Sequence, residues 1–244
     1  MDSTSTASPQ GNTFADHAAH AALDTQRFEN QGDQYADSLL REARAHVYHW
    51  SADFPGFEAS LILLDGAERH YGDLRVRSSR DITLGCPGAP EEAAAWARSQ
   101  LEELVAHRES PDVSKMASKA GVTRGDLHAV YGTRVTFTGD RMESYYRIAD
   151  HKIVEIGRAY GKMRFVIHID EHQECDNRYA ASHYTVFYFD RATDALTKVE
   201  TYLDRYTRVG DYFLPAERRY TEAAAGKLHT RALLLQGTRL ITPA

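Results

Sequence analysis

From Arg134 to Ile241 the chain reads as one strand-like run after another, each closed by a turn signal. The runs cover 134–138, 142–149, 152–159, 163–173, 180–190, 195–206, 211–222 and 226–241. Between them stand Gly139-Asp140, Asp150-His151, Gly161, Asp176-Asn177, Asp190 to Asp194, Gly210-Asp211 and Gly226. Glycine reaches φ > 0 without steric cost, and Asp and Asn tolerate it, which is what a tight hairpin asks of its tip. Connections this short join only antiparallel neighbours, because a parallel pair needs a crossover of a dozen or more residues. The spacing therefore predicts a long antiparallel meander. Its clearest hairpin is Tyr206 to Pro215, with Gly210-Asp211 at the tip.

Two stretches ahead of the meander have a helical period. Tyr35, Leu39, Leu40, Ala43 and Val47 recur at steps of three and four over 33–48, with Asp33 as N-cap. Pro90 opens the second helix, 91–107, and Glu91 and Glu92 suit its N-terminal dipole. Ala93, Ala97, Leu101, Leu104 and Val105 form its buried stripe, with Trp96 at the margin. Strands are expected at 57–64, 70–78 and 81–84. In Trp50 to Phe57, Pro55 ends the first helical segment and Gly56 permits a sharp turn, setting the angle into the first strand. Trp50 and Phe57 are expected to pack on either side. Gly121, Gly125 and Gly132 punctuate 111–133, which reads as loop and turn with one short strand or helical turn. The expected fold class is α+β: a long, curved antiparallel meander packed on two amphipathic helices.

Residues 1–31 are polar and poor in apolar anchors, so they read as a disordered tail, with 32–244 as a single α+β domain. His17 and His20 lie in that tail at helical spacing, a weak metal-binding pair or simply solvated. A net charge of −6 with both signs interspersed argues against a nucleic-acid partner, which needs a basic stripe. The 2 cysteines imply no disulfide framework. The N-terminus lacks the pattern of a secretory signal, and no apolar run is long enough to span a membrane. The expected location is cytoplasmic.

The polar stretch His168-Ile-Asp-Glu-His-Gln-Glu-Cys175 holds the candidate chemistry. Strand alternation would put His168, Asp170, His172 and Glu174 on one face, with Phe165, Ile167 and Ile169 on the other. His168 and His172 would stand roughly 13 Å apart, too far to share an ion. A hairpin turning at Asp176-Asn177 brings His183 opposite Asp170. Asp170, His172 and His183 then form a set of two imidazoles and one carboxylate, suited to a divalent transition metal or to acid–base catalysis. One residue of slip would break it, and the plain alternative is the wet outer face of a sheet. Tyrosines crowd the meander, and Tyr146, Tyr184 and Tyr188 are the candidates for lining a ligand cavity; the alternative is cross-strand pairs that stabilise the sheet. Cys175 sits between Glu174 and Asp176, which disfavour its thiolate, whereas Cys86 is a loop cysteine open to either reading.

Trp50-x-x-x-Phe54-Pro-Gly-Phe57 after a helix, Tyr146-Arg-Ile148 through Asp150-x-x-Ile153 and Arg158, and Tyr206-x-x-Val209-Gly-x-Tyr212-x-Leu214-Pro215 together resemble a bacterial and plastid family of unknown function, the DUF3386 type. The likeness runs from about Asp33 to Ile241 and rests on turn and packing residues. Gln236-Gly237 stands where the family has Ser-Asn. The strand-turn-strand ending is also similar, more remotely, to periplasmic lipoprotein carriers and sorting proteins. That resemblance implies a half-barrel that holds an acyl chain between sheet and helices. The expected function is a protein that binds a small apolar or amphipathic ligand there. The alternatives are a small-molecule enzyme using Asp170, His172 and His183, and a partner-binding domain without a small ligand.

Overall fold

The computed structural model describes residues 32–109 and 121–242. Helix α1 spans Gly32–Ala45 and α2 spans Glu91–Ala106. The strands are β1 (Phe57–Asp65), β2 (Glu68–Ser78), β3 (Asp81–Gly85), β4 (Val122–His128), β5 (Gly132–Phe137), β6 (Tyr145–Ala149), β7 (Lys152–Tyr160), β8 (Met163–Cys175), β9 (Arg178–Asp190), β10 (Leu196–Val209), β11 (Tyr212–Ala224) and β12 (Lys227–Leu240). They form one curved, open antiparallel sheet of 12 strands, ordered β3-β2-β1-β12-β11-β10-β9-β8-β7-β6-β5-β4.

The meander therefore begins at one edge, β4, and ends against β1. Leu61 pairs with Leu235 and Leu63 with Leu233 across that seam. Strand β1 buries alternate residues, Phe57, Ala59, Leu61 and Leu63, as a strand with one covered face must. Helix α2 lies over this part of the sheet. Its Ala97, Leu101, Leu104 and Val105 join Leu61, Leu63, Leu214 and Leu233 in one core. Truncating such a leucine to alanine typically costs about 2–5 kcal/mol. Helix α1 covers the other end, where Ala36, Leu40 and Ala43 meet Val135, Tyr146, Ile148 and Ile153. Tyr35 does not join the buried face expected of it: it is 51% exposed, and Arg124 lies over its ring at 4.9 Å.

Between the helices the chain turns as Pro55 and Gly56 demand. Gly56 has φ +89°, and a Cβ there would stand 2.4 Å from the Val76 carbonyl oxygen. Trp50 is buried, stacks on Phe54 at 4.1 Å, meets Phe57 edge-on at 6.3 Å and donates its indole N–H to the Phe213 carbonyl. The stretch 121–137 holds β4 and β5, paired as a hairpin whose register slips between Arg124 and Leu127. Helix α1 begins at Gly32, so Asp33 falls inside it. His17, His20 and the N-terminal tail lie outside the described residues.

Candidate functional site

Among the described residues, α1 and α2 cover the two ends of one sheet face and leave its middle, β7 to β10, between them. A cavity of about 550 Å³ opens there. Its floor is the inward side of consecutive strands: Ile156 of β7, Phe165, Ile167 and Ile169 of β8, and Val186 of β9. Cross-strand register aligns them, Ile156 with Ile167 and Ile167 with Val186. The walls are the chain after α1, with Val47 and His49, and the end of α2, with Glu103, Ala106, His107 and Arg108.

Tyr184, Tyr188 and Tyr202 complete the lining, and their hydroxyls are tied down at the sheet. Buried Glu200 accepts bonds from the Tyr188 hydroxyl at 2.7 Å and the Tyr202 hydroxyl at 3.0 Å, and from Lys198 Nζ at 2.8 Å. The Tyr220 hydroxyl, with one proton for two carboxylates, lies 3.0 Å from Glu200 and 2.8 Å from Glu222. Burial pushes the Glu200 carboxyl up, but the Lys198 and tyrosine bonds outweigh it and hold its pKa below the usual range. Tyr184 stacks on Tyr202 with 4.8 Å between ring centroids. The tyrosines thus offer the cavity ring faces, which are apolar surface, rather than free hydroxyls.

A second polar group closes one side. Arg218 is 1% exposed on β11. Its Nε and Nη2 bond both oxygens of Asp204 at 2.8 and 2.7 Å, Nη1 donates to Gln100 at 2.9 Å, and Nη2 to the Tyr184 hydroxyl at 2.7 Å. Glu103 stands 3.5 Å from Nη1. Burial raises the Tyr184 pKa well above its ordinary value, so this hydroxyl stays protonated. His107 borders the cavity and is exposed, yet the protein packed around it, with Arg108, Arg218 and Arg158 nearby, pushes its pKa down to about 4. His49 is lowered likewise, first by burial and then by Arg108. Both imidazoles are neutral at pH 7.

Of the tyrosines singled out in the sequence, Tyr184 and Tyr188 line the cavity. Tyr146 does not: it belongs to the core under α1, where Arg158 Nη2 donates to its hydroxyl at 3.2 Å.

Asp170, His172 and His183 are not assembled as alternation and an unbroken register would have them. The β8–β9 ladder shifts between Ile169 and Glu171 and again before His172. Glu171, not Asp170, pairs with His183, and His172 pairs with Ala181. His172 turns to the β7 side, its Nε2 3.0 Å from the Ile153 carbonyl and its ring edge-on to Tyr179 at 4.8 Å. Among the described residues no group of three His, Cys, Asp or Glu side chains is placed to hold a metal ion. The physical reason is a bend. The β7–β8 pairing stops at Glu155 and His168, and the β9–β10 pairing at Leu203 and His183. Beyond these points the hairpin leaves the sheet plane's ladder, and its tip bonds elsewhere: Tyr48 N–H to the Tyr179 carbonyl at 2.7 Å, Tyr179 N–H to the His46 carbonyl at 2.8 Å, and Gln173 to the backbone of Tyr206. Bulges are the ordinary way a strand pair makes such a bend. His168 pairs with Glu155 at 3.0 Å and lies against Tyr131 and Phe187. Cys175 is buried, with its thiol pushed up to about 11, first by burial.

Sequence reasoning missed Arg218, Asp204, Glu200, Arg108 and His107. A signal existed for part of this set. Glu200, Tyr202, Asp204 and Tyr206 alternate along β10, and Arg218 and Tyr220 along β11, so charges are interleaved with aromatics on one strand face.

The sequence model of DUF3386, proteins of unknown function, matches residues 31–240. No curated protein matches the chain. Solved structures with a remote likeness to the chain include two of named description. One is a domain described as an outer membrane lipoprotein-sorting protein from Vibrio parahaemolyticus, at 10% identity and a TM-score of 0.33, covering 88% of this chain and 94% of that one. The other is a DUF1329 family protein from Desulfovibrio piger, at 6% identity and a TM-score of 0.26, covering 86% and 92%. Neither likeness bears on function at that similarity. Among the described residues no helix is long and apolar enough to cross a membrane.

Proposed function

The chain belongs to the DUF3386 family, and from that premise we propose that it is a binding protein, holding a small apolar or amphipathic molecule between its curved sheet and its helices. One observation carries the reading: the cavity of about 550 Å³ whose floor is Ile156, Phe165, Ile167, Ile169 and Val186. That volume falls in the range of small-molecule sites, roughly 300–1,000 Å³. Its tyrosines are fixed by Glu200 and Arg218, so the lining is organised without a ligand, which lowers the ordering cost of binding. The reading that makes Asp170, His172 and His183 catalytic draws no support from their placement.

A titration tests the proposal. N-phenyl-1-naphthylamine, a neutral fluorophore that brightens in apolar surroundings, is expected to give a saturable signal with one site per chain. The melting temperature should rise with fluorophore concentration, as ligation of the folded state requires. A linear, unsaturable signal with an unmoved melting temperature would overturn the reading.

A further inference from the structure

Arg108 is 5% exposed and lines the cavity. Its Nη1 donates to the Tyr48 carbonyl at 3.0 Å, and its guanidinium lies 5.3 Å from the centroid of the Tyr206 ring. Its Nε is buried with no hydrogen-bond partner. Among the described residues no carboxylate pairs with it. Arg218 on the same cavity is the contrast, with Asp204, Glu103, Gln100 and Tyr184 on its nitrogens. The two carboxylates lining the cavity, Asp204 and Glu103, are both engaged there and do not reach Arg108. Arg158 lies behind the floor and does not line the cavity, its Nη2 donating to the Tyr146 hydroxyl. It pairs across the ladder with Phe165 of the floor, and its Nε is also buried without a partner. A buried guanidinium without an anion is costly, and an N–H aimed at nothing adds to the cost. An anion that enters the cavity supplies the missing counter-charge to the guanidinium that lines it.

We propose that the molecule held in this cavity is amphipathic and acidic, its chain lying on Ile156, Phe165, Ile167 and Ile169 and its carboxylate or phosphate-monoester head bonding Arg108. This rests on the binding role proposed above and adds the chemistry of the ligand. His49 does not hold the head, because its Nδ1–H is spent on the Glu109 carbonyl at 3.1 Å, and the charge that meets the head is that of Arg108. A charge-assisted bond to a buried arginine corresponds to about tenfold to a hundredfold in affinity.

The test is displacement of N-phenyl-1-naphthylamine from the full chain by ligands of one chain length: palmitate, monohexadecyl phosphate and 1-hexadecanol. Both acids are expected to displace it at concentrations about tenfold lower than the alcohol. Acetate and inorganic phosphate, which have the charge without the chain, are expected to displace nothing at those concentrations. Arg108→Met should retain the fluorophore and the alcohol and lose the preference for acids. Equal displacement by acid and alcohol, displacement by the chainless anions, or a preference that survives in Arg108→Met overturns the proposal while the binding role stands. A fluorophore that never binds takes both down. The wild-type comparison of acid with alcohol decides without any substitution, should the variant not fold.

Discussion

Arg218 is a cation placed where water does not reach, and the five N–H groups of a guanidinium all need acceptors there. Asp204 takes two, Tyr184 one and Gln100 one, with Glu103 beside Nη1. Such a pair is a poor source of net stability, because desolvation of both ions offsets most of the attraction. Its evident effect is geometric: it ties α2, through Gln100 and Glu103, to β9, β10 and β11, and it fixes the Tyr184 ring at the cavity. Removing one partner leaves the other charged and buried. Arg218→Met should therefore lower stability by about 3–5 kcal/mol in urea unfolding at pH 7. Replacing both charges, Arg218→Met with Asp204→Leu, should recover most of that loss, since well-packed apolar groups substitute for a buried pair at little cost. A double variant no more stable than the single one would show that Asp204 is not what makes the loss.

At the level of elements, turn chemistry made most of the sheet readable. Gly210 has φ +60° at the tip between β10 and β11, and Asp176 has φ +53° between β8 and β9, as tight hairpin tips require. Gly56 is more constrained than either tip. It combines φ +89° with a Cβ position 2.4 Å from a backbone oxygen of β2, which cannot move without breaking the β1–β2 ladder. Gly56→Val is expected to cost about 1–3 kcal/mol, read as a lower urea midpoint, and an unchanged midpoint would remove the constraint. The same sequence logic left 111–133 undecided between a short strand and a helical turn, and the structure has the strand β4 there, paired with β5. Glycine is compatible with both states, and only the neighbouring strand decides. That logic failed at Asp170. Strict alternation is a property of unbroken ladders, and the bulge arises because the hairpin tip finds partners in the chain after α1, more than a hundred residues earlier. No local pattern carries that information. The floor of the cavity, by contrast, is visible in the sequence as Phe165, Ile167 and Ile169 on one face of their strand; what the sequence lacks is the gap between α1 and α2 in which that face lies.

Over the described residues, the sheet is longer than the helices laid on it. Two helices of 14 and 16 residues lie over a face of 12 strands, one at each end, and the middle between them holds the cavity. Full packing and a vacant site therefore occur on the same sheet face, and equal substitutions should have opposite consequences in the two places. Ala97 on α2 is fully buried against the sheet. Ala97→Phe has no space to enter and should lower stability by about 1–3 kcal/mol or more through overpacking. Ala181 on β9 borders the cavity and is only partly buried. Ala181→Phe would place its ring over vacant apolar surface, so its urea midpoint should stay within about 1 kcal/mol of wild type or rise. Its affinity for N-phenyl-1-naphthylamine should meanwhile fall at least about tenfold, because the ring occupies the site. Stability and binding then move independently, which is the behaviour of a binding cavity rather than of a packing defect. If Ala181→Phe is as destabilised as Ala97→Phe, the space beside β9 does not accept a ring, and the ligand site has to be sought elsewhere on the sheet.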